Sequence, residues 1–301
     1  MSLAFLCPGQ GSQKVGMGQD LYEHSNLAKA HFDKANEILG MDIQNIMFNG
    51  PDETLKQTQY TQPALYIVAV TIGLLLMDKG IKPNCAAGHS LGEYSAYALA
   101  GAFDFETGLS LVKVRANSMQ AAGEIQPGTM AAIIGLDDET VVNIMDNVTG
   151  TVVAANFNSP GQVVISGAIE AVNSAMETAR ENGARMAMPL NVSGAFHSPL
   201  MVHAREHLAE MIDSIEIKDS MLPVYSNVSA SPVTKAEYIR QAMIHQLENP
   251  VLWSQTITNM AKDGVDQFME VGTGRVLQGL CRRIDRSLAT RGVENWEQIH
   301  A

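Results

Sequence analysis

A G-x-S-x-G pentapeptide, Gly88-His89-Ser90-Leu91-Gly92, constrains the fold more than any other stretch of the sequence. It follows a short apolar run, Cys85-Ala86-Ala87, and opens a helical pattern that continues to Ala100. This context predicts a strand, a tight turn and a helix, with a strained backbone that exposes the serine hydroxyl. The turn also directs the Leu91 amide towards any oxyanion beside Ser90. The alternative, which the pentapeptide alone does not exclude, is a glycine-rich turn of an ordinary α/β protein.

The composition is that of a globular protein with a large core. The 301 residues, 46% of them hydrophobic and 17% charged, predict one large core plus a smaller domain or insertion. The longest apolar stretch, Ala64 to Met77, is interrupted by Thr71 and Gly73 and is shorter than the roughly 18 apolar residues of a membrane helix. We therefore expect a buried core helix there and no membrane association.

The net charge limits the classes of binding partner, and the cysteine content indicates the cellular compartment. A net charge of -12 disfavours sequence-independent binding to nucleic acid or anionic lipid. The three cysteines, Cys7, Cys85 and Cys281, lack C-x-x-C spacing, which argues against disulfides and a zinc site and favours the reducing cytoplasm. Residues 1–7 lack a basic region and lead into a Pro-Gly loop, so we expect a strand there and not a signal peptide.

The amino-terminal part alternates predicted strands and helices. A strand at Leu3 to Cys7 leads into a glycine loop, but Lys14 occupies the place of the third glycine of a dinucleotide fingerprint. Arg115 lies within the apolar pattern of a later helix, where it is either a functional charge or a guanidinium that reaches the helix edge. Apolar periodicity predicts helices at Ser25 to Leu39, Pro63 to Met77 with the proline first, and Asp104 to Ala122.

The middle of the chain changes to short elements. Their order from residue 130 to residue 188 is β-α-β-β-α-β, the split arrangement of a ferredoxin-like unit, and it resembles an insertion. The tail after Arg291 is expected to be loosely held. Between the insertion and the tail we expect elements of the larger domain at Ser198 to Ile212, near Pro223 to Ser226, and at Ala236 to Gln246, Gln267 to Val271 and Val276 to Arg286.

A general base is the next requirement, because a free serine hydroxyl is almost entirely protonated at neutral pH. His197 stands out among the eight histidines, since it lies in a loop between a predicted strand and a predicted helix. The alternative is a structural histidine that caps the following helix. His89 adjoins Ser90 and is expected to point away from its side chain. Three other histidines lie in polar segments that we expect to be exposed: His24, His31 and His300.

Two other constellations compete with a Ser-His pair. Residues 203–207, His-Ala-Arg-Glu-His, match the inverted zincin motif H-x-x-E-H, but two histidines four apart on a helix are usually just solvated. A Ser-His-Asp hydrolase would show an oxyanion segment such as H-G-G-G, which the chain lacks. The candidate acids Asp137, Asp138 and Asp146 lie in the insertion. A Ser-His pair oriented by backbone carbonyls is consistent with what remains.

Seven motifs, in order, carry a resemblance to a known family. Together they resemble the malonyl-CoA:acyl carrier protein transacylases of fatty-acid and polyketide synthesis, over about residues 3 to 285. The motifs are Pro8-Gly9-Gln10-Gly11-Ser12-Gln13, Gly88-His89-Ser90-Leu91-Gly92-Glu93-Tyr94-Ser95-Ala96, Arg115 with Met119, Asn156-x-Asn158-Ser159-Pro160-Gly161-Gln162, Gly194-Ala195-Phe196-His197-Ser198-Pro199-Leu200-Met201, Gln246-Leu247-x-x-Pro250-Val251-x-Trp253 and Glu270-Val271-Gly272.

The resemblance and the order of elements together predict an α/β fold in two parts. A larger α/β-hydrolase-like catalytic domain with a parallel sheet core would comprise residues 1–124 and 192–301. A smaller ferredoxin-like α+β subdomain would be inserted as residues 125–191. The resemblance also implies ping-pong transfer without metal or prosthetic group.

The resemblance implies a role for each member of the site. Ser90 would attack the thioester carbonyl of malonyl-CoA while His197 takes its proton, and the phosphopantetheine thiol of acyl carrier protein would then attack malonyl-Ser90. The main-chain amides of Gln10 and Leu91 would form the oxyanion hole. Arg115 would hold the free malonyl carboxylate with two hydrogen bonds and so discriminate against acetyl-CoA.

Three further positions follow from the same likeness. The Gln246 region would lend a backbone carbonyl to orient the histidine, which accounts for the missing acid. Phe196 matches the malonyl-selecting pattern, where methylmalonyl-selecting relatives usually carry serine, and Asn156 belongs to the substrate-binding set. Cys7 departs from the family, which often has an aromatic residue before the proline, and this puts little in doubt.

The expected partners are malonyl-CoA and acyl carrier protein, both acidic, and the expected state is a monomer. An arginine cluster either docks these partners or is a solvated helix face with internal ion pairs such as Asp285. An acyl hydrolase and a catalytically silent docking module are alternatives. Arg115 argues against the hydrolase, because simple acyl groups have no carboxylate for it to bind. The presence of both Ser90 and His197 argues against the silent module. Fatty-acid and polyketide pathways are not distinguished. The cluster comprises Arg275, Arg282, Arg283, Arg286 and Arg291.

Overall fold

A six-stranded sheet and a four-stranded sheet frame the protein, whose computed structural model describes residues 2–301. The strands are, in chain order, β1 (Leu3–Cys7), β2 (Cys85–Gly88), β3 (Gly128–Ile134), β4 (Val152–Ser159), β5 (Gln162–Ala168), β6 (Met186–Pro189), β7 (Val224–Tyr225), β8 (Pro232–Val233), β9 (Gln267–Val271) and β10 (Ala289–Val293).

Helices surround the six-stranded sheet and pack on the four-stranded one. Two short 3-10 turns, Pro199–Met201 and Gln246–Glu248, lie among them. The α-helices are α1 (Gln19–His24), α2 (Asn26–Leu39), α3 (Ile43–Asn49), α4 (Asp52–Leu55), α5 (Thr58–Asp78), α6 (Gly92–Leu99), α7 (Phe105–Ile125), α8 (Asp138–Asp146), α9 (Ile169–Glu181), α10 (Val202–Ser214), α11 (Ala236–His245), α12 (Trp253–Lys262), α13 (Val276–Ile284) and α14 (Trp296–His300).

The larger sheet has the strand order β10-β9-β1-β2-β7-β8. Its first five strands are parallel, and only the edge strand β8 runs antiparallel to its neighbour. Cys7 at the end of β1 pairs in register with Gly88 at the end of β2. Because the carboxyl ends of parallel strands meet at one edge, the loop that contains Gln10 and the turn that contains Ser90 lie side by side.

The smaller sheet has the order β4-β5-β3-β6, and every neighbouring pair in it is antiparallel. Helices α8 and α9 pack on it and enclose a separate apolar cluster that includes Ile133, Val163 and Val172. A single parallel bridge, Asn156 with Val251, joins this sheet to the chain just before α12. The predicted β-α-β-β-α-β order is confirmed over residues 128–189.

Helix α5 is the central helix of the larger part. It packs against α2, α6 and α7, and it is long and apolar enough to cross a membrane by length and composition alone. Within its most apolar window, 78% of the helix is buried inside the protein. The helix begins at Thr58, so the prediction that Pro63 occupies its first position is wrong. Pro63 lies in the second turn, where it has no N–H group for the backbone hydrogen bond, and it is itself buried.

Two other sequence predictions are wrong. The tail is ordered, because β10 extends the parallel sheet beside β9 and the Trp296 amide donates to Asp20 Oδ2 at 2.6 Å. Apart from Val293, β10 is partly or fully exposed, so its hydrophobic pattern is weak. His31 is buried and not exposed: its ring stacks on Phe105 at 3.9 Å, and its Nδ1 lies 2.9 Å from Thr71 Oγ1. Five helices of the described chain had no predicted pattern: α1, α3, α4, α12 and α14.

Candidate active site

The turn between β2 and α6 holds Ser90 in a strained backbone conformation. Its φ is +50°, in the left-handed region that side-chain-bearing residues rarely adopt. A Cβ on Gly88 would lie 1.9 Å from the Gly92 carbonyl carbon, and a Cβ on Gly92 would lie 2.0 Å from the Cys7 carbonyl oxygen. Both glycines are therefore required by close packing. Asn227 braces the turn, since its Oδ1 accepts from the Ser90 amide and its Nδ2 donates to the Gly88 carbonyl.

Ser90 and His197 form a hydrogen-bonded pair. Ser90 Oγ lies 2.7 Å from His197 Nε2, and His197 Nδ1 lies 2.9 Å from the Gln246 carbonyl oxygen and 3.2 Å from that of Asn249. Because carbonyl oxygens only accept, Nδ1 carries the proton and Nε2 accepts the hydroxyl hydrogen of Ser90. Two carbonyls thus occupy the place that a carboxylate takes in a Ser-His-Asp triad.

The environment of His197 keeps its imidazole neutral. Burial, reinforced by the positive charge of Arg115, lowers the pKa of His197 to about 3. A neutral imidazole with a free Nε2 lone pair has the protonation state that a general base needs. His197 also has a left-handed backbone, with φ of +58°, so both members of the pair lie on strained turns.

Arg115 lies fully buried beside the pair. Its Nη2 donates to Ser90 Oγ at 3.0 Å and to Gln246 Oε1 at 2.9 Å, and its Nη1 donates to Gln62 Oε1 at 2.7 Å. The guanidinium carbon lies 5.3 Å from the centroid of the Tyr94 ring. Within residues 2–301 no carboxylate lies within 4.0 Å of its guanidinium, and its buried Nε has no hydrogen-bond acceptor.

A buried guanidinium with neutral partners and one unused donor is unusual, because buried charges are normally paired. The full burial of Arg115 excludes the alternative in which its guanidinium reaches the edge of its helix towards solvent.

A cavity of about 180 Å³ opens onto Ser90 and His197. It lies between the two sheets, because its walls come from β3, β4 and β5 as well as from the loops that follow β1 and β2. A larger cavity of about 590 Å³ lies elsewhere, between α5, α7 and the segment around Met221, and contains none of these groups. Five predicted site residues line the smaller cavity beside Ser90: Gln10, Leu91, Asn156, Phe196 and His197.

The main-chain amides of Gln10 and Leu91 are available as donors. Among the described residues neither amide hydrogen bonds to a protein acceptor. The Gln10 side chain is held by a 3.4 Å hydrogen bond from its Nε2 to Thr58 Oγ1. His89 points away from Ser90, with its Nε2 2.8 Å from Asn158 Oδ1. The sequence-predicted residues are thus brought together, with Arg115 and Gln246 contacting Ser90 directly.

Glu93 and Gln62 are parts of the site to which sequence reasoning assigned no role. Glu93 is fully buried, and burial raises the pKa of its carboxyl to about 7, although hydrogen bonds from Gln246 and Tyr97 act in the opposite direction. The available signal was a carboxylate inside an otherwise apolar helix. Gln62 carried no such signal, because its partner Arg115 lies 53 positions away along the chain.

Metal ligands are not clustered in the described part of the chain. No group of three or more His, Cys, Asp or Glu side chains within residues 2–301 is placed to hold a metal ion. In the H-x-x-E-H stretch, His203 Nδ1 lies 3.7 Å from Glu206 Oε2, and both side chains are more than half exposed on α10. Cys7, Cys85 and Cys281 are buried free thiols.

A comparison with known protein families agrees with this geometry. Residues 4–294 match the acyl transferase domain family. The chain belongs to this family. Among curated relatives it is 44% identical to the malonyl CoA-acyl carrier protein transacylase of Bacillus subtilis, over 99% of this chain and 95% of that protein. It is 43% identical to the Haemophilus influenzae protein of the same name, over 99% of this chain and 97% of the relative.

Solved structures of other family members share the mixed α/β fold. The malonyl CoA-acyl carrier protein transacylase of Coxiella burnetii superposes with a TM-score of 0.96 at 41% identity, over 99% of this chain and 96% of that one. A malonyl-transacylase solved in complex with a type II polyketide acyl carrier protein superposes with a TM-score of 0.95 at 40% identity, over 100% of this chain and 98% of that one. The acyltransferase family and its sheet, mostly parallel here, are therefore confirmed.

Proposed function

We propose that this acyltransferase moves the malonyl group from malonyl-CoA to the phosphopantetheine thiol of acyl carrier protein through a malonyl-Ser90 intermediate. The observation that carries the proposal is the buried, carboxylate-free Arg115, whose Nη2 lies 3.0 Å from the nucleophile. A thioester that ends in a carboxylate would place its charge on Arg115 and its carbonyl carbon on Ser90. The names of its close relatives support the same substrates.

In the first half-reaction, Ser90 Oγ attacks the thioester carbonyl carbon while His197 Nε2 takes the hydroxyl proton. The resulting oxyanion accepts hydrogen bonds from the amides of Gln10 and Leu91. The tetrahedral intermediate collapses as the carbon-sulfur bond breaks, and the Nε2 proton passes to the departing CoA sulfur. The carbonyls of Gln246 and Asn249 stabilise the transient imidazolium through its Nδ1 proton.

The second half-reaction reverses these steps with a different thiol. The phosphopantetheine thiol gives its proton to His197 Nε2 and attacks the ester carbonyl of malonyl-Ser90. Ser90 then leaves and regains a proton from the imidazole. No step requires a metal or a prosthetic group, so we propose that the enzyme works without either.

Intact-mass measurement after brief exposure to malonyl-CoA tests the proposal directly. We expect one malonyl group on the protein, none on a Ser90→Ala variant, and loss of the adduct when holo acyl carrier protein is added. Steady release of malonate and CoA without a persisting adduct would instead indicate an acyl hydrolase. Neither adduct nor turnover would indicate a silent docking module.

We also propose the predicted arginine cluster as the docking surface for the acidic substrates. All five arginines are exposed, and within residues 2–301 none has a carboxylate within 4.0 Å, which supports a docking role over internal ion pairs. Arg283 Nη1 donates to Gln162 Oε1 at the start of β5, and β4 and β5 carry Asn156 and Val164 of the cavity.

Charge reversal tests the docking surface. A variant with Arg282→Glu and Arg283→Glu should lower kcat/KM for acyl carrier protein at low salt, and the loss should shrink as salt screens the charges. Lys79→Glu, which reverses an exposed charge at the end of α5, is the control. An unchanged rate in the double variant would remove the cluster as the docking surface.

The finer fold assignment belongs to the same proposal. We propose an α/β-hydrolase-like catalytic domain at residues 1–124 and 192–301, with a ferredoxin-like subdomain inserted at residues 125–191. The strand order and antiparallel pairing of the four-stranded sheet support the second part. Three free buried cysteines support a cytoplasmic location. A monomer without nucleic-acid or membrane partners is the state that we propose, and light scattering of the purified protein tests it.

A further inference from the structure

The Glu93 carboxylate is surrounded by hydrogen-bond donors. It lies in the first turn of α6, three residues beyond the nucleophile, and is fully buried. Its Oε1 accepts from the Tyr97 hydroxyl at 3.0 Å and from the Asn227 amide at 3.3 Å. Its Oε2 accepts from Gln246 Nε2. Because donors approach both oxygens, only the ionised carboxylate satisfies all of them.

The side-chain amide of Gln246 connects this carboxylate to the site. Its Nε2 donates to Glu93 Oε2 and to the Ser90 carbonyl at 2.9 Å, while its Oε1 accepts from Arg115 Nη2 at 2.9 Å. Arginine has no acceptor, so Gln246 must present its oxygen to Arg115 and its nitrogen to Glu93. The orientation of one amide thus depends on a donor-only group on one side and an acceptor-only group on the other.

We propose that Glu93 is a positioning residue, whose carboxylate fixes the orientation of the Gln246 amide and thereby holds Arg115 ready for the carboxylate of the acyl group. This inference rests on the proposed malonyl transfer. Gln246 Nε2 donates to the Oε2 atom of Glu93. If the group at this place is itself a hydrogen-bond donor, two donors face each other and no hydrogen bond forms. Rotation of the Gln246 amide relieves that conflict but turns its NH2 group towards Arg115, which then loses an acceptor and meets another donor.

Neutralisation of Glu93 therefore changes the position of the Arg115 guanidinium through Gln246, without direct contact between Glu93 and Arg115. The ionised carboxylate also supplies a negative charge that favours the charged form of Arg115. The ionisable side chains that interact with Glu93 are Tyr94 and Tyr97 of its own helix and Arg115 of α7. Burial raises the pKa of both phenols, so they stay neutral, and burial keeps His197 unprotonated far below pH 7.

Glu93 is thus the group of this cluster that titrates near neutral pH, since burial raises its carboxyl pKa to about 7. Selectivity for the carboxylate-bearing substrate should be complete above that pH and decline as the pH falls through it. Protonation of His197, whose pKa is about 3, does not cause a decline of selectivity near pH 7. A pH profile therefore separates the proposed positioning role from the titration of the base.

The test compares Glu93→Gln with Tyr97→Phe. Both remove hydrogen-bonding capacity from the same buried cluster, but Tyr97→Phe keeps the carboxylate and its contact with Gln246. KM and kcat for Ser90 acylation are measured with malonyl-CoA and acetyl-CoA between about pH 5.5 and 8.5, and melting temperatures are recorded beside them.

At about pH 8 we expect Glu93→Gln to raise KM for malonyl-CoA about tenfold, which corresponds to about 1.4 kcal/mol, with little change for acetyl-CoA. The malonyl preference of the variant should no longer depend on pH, whereas the wild-type protein and Tyr97→Phe should both show the acid limb near pH 7. Melting temperature is expected to fall in both variants, so it does not carry the conclusion.

Three outcomes overturn the inference: an unchanged malonyl KM in Glu93→Gln, an equal KM change in Tyr97→Phe, or a wild-type malonyl preference that is flat across pH 7. The last measurement needs no variant and decides the matter if Glu93→Gln fails to fold. Failure of the wild-type protein to form malonyl-Ser90 at any pH would refute the proposed function itself, which is a separate result.

Discussion

Replacement of Arg115 by methionine should convert a malonyl-selective site into an unselective one. Methionine matches the aliphatic part of the arginine side chain and has no charge, so Arg115→Met removes the guanidinium and retains the packing of the aliphatic part. In the structure every hydrogen-bond partner of the guanidinium is neutral, so the acyl carboxylate would be the first charged group to hydrogen-bond with it. A hydrogen bond to a charged group contributes about 1.5–3 kcal/mol, and a two-pronged contact contributes somewhat more than one such bond.

At about 1.4 kcal/mol for each factor of ten, a contribution of about 3 kcal/mol predicts that kcat/KM for malonyl-CoA falls about 100-fold or more. Acetyl-CoA has only a methyl group at this position and should lose little. Arg115 also donates to Ser90 Oγ, so the variant perturbs the nucleophile, but it does so for both thioesters. The malonyl-to-acetyl ratio therefore isolates the clamp.

Rapid-quench intact-mass measurement of acyl-Ser90 with each thioester gives this ratio. Arg115→Lys serves as the matched comparison, because it keeps the charge and loses the planar fork, and we expect it to lie between the wild-type protein and Arg115→Met. Equal losses for malonyl-CoA and acetyl-CoA in Arg115→Met would show that Arg115 acts on the nucleophile alone and would refute the reasoning.

Three further outcomes are expected. Phe196→Ser should open the wall of the cavity and raise acylation by methylmalonyl-CoA relative to malonyl-CoA, and an unchanged ratio in the intact-mass assay would exclude Phe196 from selectivity. Burial lowers the pKa of His31 to about 4, so the free energy of unfolding should fall as the pH drops from about 6.5 towards 4. In urea denaturation at a series of pH values, His31→Gln should make this dependence weaker, and an equal slope in both proteins would count against the expectation. Gly92→Ala would place a methyl group 2.0 Å from the Cys7 carbonyl oxygen, so it should lower the melting temperature by several degrees or prevent soluble expression. Gly40→Ala, at an open helix end, should lower the melting temperature much less.

The parts of the fold that the sequence predicted are those with a local signal. The G-x-S-x-G turn, the helix that ends at Leu39 and the β-α-β-β-α-β order each depend on residues close together in the chain, and each is confirmed. Strand β10 was missed because an edge strand with one buried residue lacks strict alternation. His31 was placed wrongly because its burial depends on Phe105, a stacking partner 74 positions away that no helical pattern reveals.

The candidate site divides in the same way. Ser90 and His197 were selected by their loops, and the structure brings them within hydrogen-bond distance, although their catalytic roles stay predictions. The backbone carbonyl of Gln246 was part of the predicted site, but the side-chain roles of the two buried glutamines were not predicted. Gln62 and Gln246 act as acceptors for one guanidinium from two distant elements, and their roles depend on which way each amide faces. Such an orientation is a property of the assembled network, so periodicity and motif spacing carry no information about it.

The strand order also determines when this protein can fold during its synthesis. The first strand, β1, occupies the middle of the larger sheet, and its two neighbours are β2 and β9. About 260 residues separate β1 from β9, so at roughly 5–20 residues per second the first strand waits on the order of 10 to 50 s for its partner to leave the ribosome. The side chains of β1 are all apolar. Until β9 is made, the backbone N–H and C=O groups along one edge of β1 have no partner strand. The nascent chain should therefore depend on chaperones late in translation, and ribosome-bound fragments that end before Gln267 should bind them longest.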